Sequence, residues 1–419
     1  MKRKLIFTSF FLFLTSISFA QQPTKQEKLL NGLKLLIWSD EKASSVNLKL
    51  RIHKGAAFDL KDKAGMMSLL ADILFPDEQA KRLFREELGG NLSVQVDYDY
   101  VQIEASSKPE DLLTLLEAVA SAVSNPPITK DNFKKVLDAK IERLKDLEQD
   151  DEYRADVAVR QRLFGSFPYG RPIEGSNESL SKIELADLIF AKDRYLTADN
   201  ATLVIYGKLS PDFTYMAVRR IFGSWKKSEK PIPATFRQPD EPDTSLLLLN
   251  SKADNLIEAR SAVRGIARND RNYFATEILA KILSQRIINQ PARINKAVVI
   301  NQANFLPGIL VARLSMPRVS VSIGTSNMNP ATENSRTEFS LTELLRKDAT
   351  QEEFEKAKSE VLKDFNLRSI YDLWLDVDTY GLISLKDEVN KINSVSLRDV
   401  NLTLQDLRKR PVVNVVLTK

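Results

Sequence analysis

Cysteine is absent from the 419-residue chain, and histidine occurs once, as His53. The first absence excludes disulfides, thiol nucleophiles, zinc ribbons and iron–sulfur clusters. The second excludes zinc sites built on two or three imidazoles and leaves any Ser-His-Asp relay with one base to draw on. That base sits at a strand end beside Lys54-Gly55, and the chain has no G-x-S-x-G elbow. Neither glycine-rich phosphate loop is present. The acidic run Asp146–Glu152 lacks the glycine turn and alternating ligands of a calcium loop, so it reads as a solvated helix end. A surplus of one charge is missing too. The 61 basic and 56 acidic residues give +5, and setting aside Lys2, Arg3 and Lys4 leaves 58 against 56. Such a balance carries no nucleic-acid footprint. On these grounds alone the chain offers no catalyst.

The one long apolar run lies at the start. Lys2-Arg3-Lys4, apolar residues 5–19 and Ser18-Phe19-Ala20 before Gln21-Gln22-Pro23 have the layout of a secretory signal peptide cleaved after Ala20. The run is short for a span of about 20 residues, and no other segment approaches that length, so stable membrane insertion is not expected. The mature protein is expected in the periplasm. Residues 226–245, with four prolines and few large apolar side chains, read as an extended linker between halves 21–225 and 246–419.

The halves share an outline. The first predicts strands 33–37 and 46–53, a helix 64–75, a strand 92–96, a charged helix 130–148 and a closing strand 201–206. The second predicts strands 246–249 and 259–266, a helix 273–283, a charged helix 351–365 and a closing strand 412–417. The common order, β-β-α-β-β-α-α-β, predicts an α+β fold of two homologous domains. Each would be a mostly antiparallel sheet with helices packed on one face.

Several blocks in order resemble the insulinase/pitrilysin metallopeptidases, a family that includes the mitochondrial processing peptidases. Asn31-Gly32-Leu33-Lys34 and Lys54-Gly55-Ala56 flank a hairpin similar to the family's first. Residues 64–75, AGMMSLLADILF, resemble its metal helix, where members carry G-L-A-H-F-L-E-H-M-L-F. Phe164-Gly165-Ser166-Phe167-Pro168-Tyr169-Gly170-Arg171-Pro172, then Gly175, is similar to Y-G-x-H-P-Y-G-x-P…G. Asp199-Asn200-Ala201 through Gly207 resembles the closing N-A-x-L-x-V-x-G strand, and Arg268–Tyr273 with Ile282–Arg286 resembles R-x-D-x-x-Y…I-L-G…S-R-L.

In active members H-x-x-E-H sets two ligand histidines one helical turn apart, with the glutamate as general base. The resemblance carries those positions onto Ser68, Ala71 and Asp72, and the third ligand, a glutamate on the later helix, onto Arg143 with Glu142 beside it. A hydroxyl, a methyl, one carboxylate and a cation replace the catalytic set, so no zinc and no catalytic residue is expected. The resemblance therefore implies a non-catalytic subunit that binds polypeptide substrate and pairs with a zinc-bearing homologue or with itself. Leu92, Ser93 and Val94 would offer a strand edge to the peptide, and Arg293 would hold a carbonyl or carboxylate. Two other readings remain open: a stand-alone peptide-binding or assembly protein, and a metallopeptidase rebuilt on Asp72, Glu142 and Ser68.

Overall fold

The computed structural model describes residues 22–230, 236–288, 295–317 and 340–419. The expected leader and Arg293 lie outside the described residues, as do 231–235 of the linker. Among the described residues no helix is long and apolar enough to cross a membrane.

Two sheets carry the chain. The first contains β1 (Lys25–Lys28), β2 (Lys34–Ser39), β3 (Val46–Ile52), β4 (Leu92–Val96), β5 (Val101–Ser107) and β6 (Ala201–Gly207), in the order β1-β2-β6-β3-β5-β4. The second contains β7 (Leu247–Asn250), β8 (Leu256–Arg264), β9 (Lys296–Gln302), β10 (Ile309–Pro317) and β11 (Val413–Thr418), in the order β7-β11-β8-β10-β9. Without β1 the two orders superpose strand for strand. In each, the first strand pairs in parallel with the last and every other pairing is antiparallel. The two-domain α+β fold read from the sequence is what the structure shows.

The helices that bear on function lie in both halves. The first half supplies α1 (Met66–Ile73), α2 (Leu112–Ser124), α3 (Lys130–Leu147), α4 (Asp151–Phe164) and α5 (Leu185–Tyr195). The second supplies α6 (Tyr273–Ile288), α7 (Gln351–Leu367), α8 (Ile370–Tyr380), α9 (Leu385–Ser394) and α10 (Leu397–Arg408). One apolar core lies between the first sheet and its own helices, and a second between the other sheet and α6, α7 and α10.

Helices cover both faces of the sheets rather than one, because the halves exchange a helix. Strand β3 alternates Leu48, Leu50 and Ile52 toward its own core with Lys49, Arg51 and His53 on the opposite face. That polar face meets α8 of the second half, which brings acids to it. Lys49 Nζ lies 2.8 Å from Asp372, Arg51 Nη1 2.7 Å from Asp376, and Lys34 Nζ 2.6 Å from Asp378. Trp38, Tyr206 and Tyr371 close the same contact, the two tyrosines stacked at 3.5 Å between ring centres. Reciprocally, α4 crosses onto the second sheet. Ala155, Val159 and Leu163 pack there against Ala262, Val311 and Val415, and Asp156 pairs with Arg260 at 2.6 Å. Each sheet is thus buried on both faces, with paired charges inside both interfaces.

His53 belongs to this seam. Its Nδ1 is 3.1 Å from Thr379 Oγ1 and its Nε2 2.9 Å from Thr202 Oγ1. Burial, then the charges of Arg51, Lys54 and Lys34, push the imidazole down to about 3. Neutrality is therefore part of the folded state. Because the folded value lies below the usual 6.5, this stabilisation is full above pH 6.5 and is lost as pH falls toward the folded value. As the only histidine, its Hε1 proton gives one resonance, which is expected to stay fixed between pH 8 and pH 5 by NMR. A titration near pH 6.5 would mean that the seam is open in solution.

Candidate functional site

The helix at the family's metal position is held from its N-terminus. Gly65 precedes α1 in the left-handed region (φ 92°), and the buried Asp59 carboxylate accepts from the Gly65 and Met67 amides, both at 2.7 Å. A side chain at Gly65 would meet Gly175 Cα at 2.9 Å, and Gly175 itself has φ 82°. The two glycines let the 171–175 loop touch the start of α1, which brings Glu174 over the helix face that carries Ser68 and Asp72.

Opposite that face runs α3, started by the Thr129 hydroxyl cap on Asn132 N. Its buried stripe is Val136, Lys140 and Leu144, spaced by four residues, so a lysine stands where an apolar residue is the norm. The Lys140 side chain is 1% exposed. Its ammonium donates to Ser68 Oγ at 2.6 Å, to Glu174 Oε2 at 2.6 Å and to Asp72 Oδ2 at 3.1 Å. Three N–H groups meet three oxygens, which satisfies the group completely. Ser68 Oγ in turn donates to Glu174 Oε2 at 3.2 Å. Arg143, one turn along α3, adds 2.9 Å to Asp72 Oδ2 and 3.4 Å to Glu174 Oε2. Burial works to raise the Glu174 carboxyl, but the charges of Lys140 and Arg143 outweigh it and hold the group below its usual range.

Ser68, Asp72 and Arg143 are therefore brought together, with Ala71 buried beside them. Glu142 is not among them: it points to solvent and pairs with Lys145 at 2.6 Å. The rebuilt site of Asp72, Glu142 and Ser68 is thus not assembled, because Glu142 and Arg143 leave α3 on different faces. Lys140 and Glu174 are the functional residues that sequence reasoning missed.

Zinc does not fit this donor set. Among the described residues the carboxylates in the cluster with Ser68 are Asp72 and Glu174, and both already answer to two cations. A fixed ammonium 3.1 Å or less from each oxygen holds the volume and the charge a metal would need. Among the described residues no group of three histidine, cysteine, aspartate or glutamate side chains could hold a metal ion.

A cleft of about 450 Å³ opens beside the cluster, lined by Ala71, Asp72, Arg143, Leu92, Ser93 and Val94 among others. Here the sequence-predicted strand meets the predicted helix positions. β4, which supplies Leu92, Ser93 and Val94 to this cleft, is the last strand of its sheet and pairs only with β5, so its outer backbone has no strand partner among the described residues.

Comparison with known proteins follows the same line. A family model described as insulinase (peptidase family M16) matches residues 34–177, and one described as peptidase M16 inactive domain matches 182–314. An uncharacterized zinc protease of Rickettsia felis is 22% identical over 53% of the chain, and the match spans 57% of that protein's own length. The non-peptidase homolog YmxG of Helicobacter pylori is 20% identical over 84% of both chains. The crystal structure of a peptidase M16 inactive domain from Pseudomonas fluorescens superposes with a TM-score of 0.80 at 19% identity. That match covers 94% of this chain and 97% of the other.

Proposed function

Because the chain belongs to the insulinase family, peptidase family M16, and keeps an ammonium at the metal position, we propose that it is a non-catalytic peptide-holding subunit. One observation carries this reading: Lys140 is buried against Ser68, Asp72 and Glu174, with the methyl of Ala71 where a general base would stand. A water there would find Asp72 and Glu174 each already bound to Lys140 and Arg143 and a methyl at position 71, so no carboxylate of the cluster is free to take its proton. The scaffold around the vacated chemistry is retained, down to the cleft and the open edge of β4. A polypeptide would add to that edge as a strand, bound through backbone hydrogen bonds near Leu92–Val94, and Arg293 would supply a further contact.

Export to the periplasm is proposed on the leader of residues 1–20. Pairing with a zinc-bearing homologue, or with a second copy, is proposed because a family member that keeps its walls without its metal is of use where another subunit cuts. The mature chain, purified from its native host, is expected to carry far less than one zinc per chain and to leave peptides uncut. It is expected to co-elute with a second M16 chain that contains H-x-x-E-H. Stoichiometric zinc with hydrolysis abolished by Asp72→Ala would overturn the non-catalytic reading. A chain recovered alone would leave peptide holding and remove pairing.

A further inference from the structure

The first sheet has a strand that the second lacks. β1 lies outside β2 and pairs with it antiparallel, from Lys25 opposite Ile37 to Lys28 opposite Lys34. β7 is the counterpart of β2, since each pairs in parallel with the last strand of its half. Among the described residues β7 pairs with β11 alone, so its outer edge is open. The stretch that would fill this slot by analogy is held elsewhere. β1 stands just ahead of β2 in the chain, as residues 238–243 stand just ahead of β7. That stretch is bound to α4 and the turn after it: Asp240 Oδ2 accepts from Ser166 Oγ at 2.9 Å, Asp243 pairs with Arg162 at 2.8 Å, and the Asp243 amide donates to the Arg162 carbonyl at 3.0 Å.

The apolar side of this edge is uncovered as well. In β2, Leu35 and Ile37 face the first core and are fully buried, and the helix Pro211–Phe222 adds Ala217, Val218 and Phe222 to the same cluster. In β7, Leu247 and Leu249 pack on the α4 side. Leu246 and Leu248 point the other way, are 48% and 50% exposed, and belong to neither core. An open apolar edge is a template for pairing, and proteins usually blunt such edges with lysine, proline or a bulge. Residues 244–250, TSLLLLN, hold no charge, no proline and no glycine. The lack of charge decides the partner. Two copies of this edge meet without like-charge repulsion, and antiparallel pairing sets the leucines of one against those of the other. A partner strand carrying charges would find none here to answer them.

We infer that the open edge of β7 is a contact between two copies of this chain, joined antiparallel about a twofold axis so that their second sheets run on as one. Such a contact is isologous, so each copy closes the other's edge and no edge is left to propagate. The second copy is one arm of the pairing proposed above, and the inference rests on that arm alone. It does not rest on the non-catalytic reading, because β4 and its cleft belong to the other sheet.

Sedimentation equilibrium of the purified mature chain tests it. At about 100 μM the wild type is expected at twice the mass of one chain. Leu248→Lys puts like charges across the twofold axis and is expected to weaken the dimer at least about tenfold, with circular dichroism checking that the fold is unchanged. Leu248→Ile is expected to keep the dimer. Because the chain has no cysteine, Leu248→Cys supplies a single thiol. Mild oxidation is expected to link two chains through it, and not through Leu402→Cys, which sits on α10 at a position 52% exposed. A wild type that stays at the mass of one chain overturns the inference. So does a dimer indifferent to Leu248→Lys, or a disulfide that forms no faster at position 248 than at 402. A one-to-one complex with a different chain that Leu248→Lys dissociates would give the edge to that chain and overturn it too. None of these outcomes bears on zinc content or peptide hydrolysis, so they leave the non-catalytic reading as it stands.

Discussion

Lys140→Met should lower the unfolding free energy by about 2–3 kcal/mol in urea at neutral pH. Methionine keeps the length and most of the volume, so the loss is electrostatic rather than a cavity effect. Removing one partner from a fully buried ion pair costs about 3–5 kcal/mol. Two features place this site below that range: the Asp72 and Glu174 side chains are each 31% exposed, and Arg143 remains to face both. The sign with pH follows from Glu174. Its carboxyl is held low in the folded protein, so the stabilisation exists above its usual value and disappears as pH falls through the folded value. The gap between wild type and Lys140→Met should therefore be widest near neutrality and close under acid. Adding Glu174→Gln to Lys140→Met should cost less than the two single changes together, which a double-mutant cycle measures. Simple additivity would mean that the ammonium is not the clamp.

That effect depends on contacts which the sequence only partly displays. The repeat of the two halves is legible, because apolar alternation and helix length follow local rules. So is the metal helix, since Ser68, Ala71 and Asp72 stand in a recognisable block. Counting back from Phe164-Gly165 reaches Arg143, which meets Asp72 in the structure, while Glu142 beside it leaves α3 on another face, as successive helix positions do. Lys140 was readable in principle: it interrupts the stripe of Val136 and Leu144. A lone lysine in a charged helix, however, reads as a solvated one until its carboxylates are known. Glu174 gave no such signal, because its place depends on the contact of Gly65 with Gly175, 110 positions apart. The exchange of α4 and α8 was equally hidden. Lys49, Arg51 and His53 alternate like a wet strand face, and only the third dimension brings Asp372, Asp376 and Thr379 over them.

If the ammonium does hold the metal's seat, then restoring ligands alone should not restore metal binding. The variant Ser68→His/Ala71→Glu/Asp72→His/Arg143→Glu returns two imidazoles four residues apart on α1 and a carboxylate on α3. It leaves Lys140 between them. Histidines at 68 and 72 would press against a side chain that already fills the gap, and any cation would meet a fixed positive charge at contact distance. Adding Lys140→Ala removes that charge and frees space for the imidazoles. The five-fold variant is expected to bind one zinc per chain, about 100-fold or more tighter than the four-fold variant, a difference of about 2.7 kcal/mol. Competition with a chromogenic chelator reads this without any need for peptidase activity, and Glu174 remains available to orient a ligand histidine. Equal zinc affinity with and without Lys140 would show that the lysine only fills space near the site. A strong dependence on residue 140 would instead identify a single buried side chain as the barrier between this scaffold and the chemistry of its relatives.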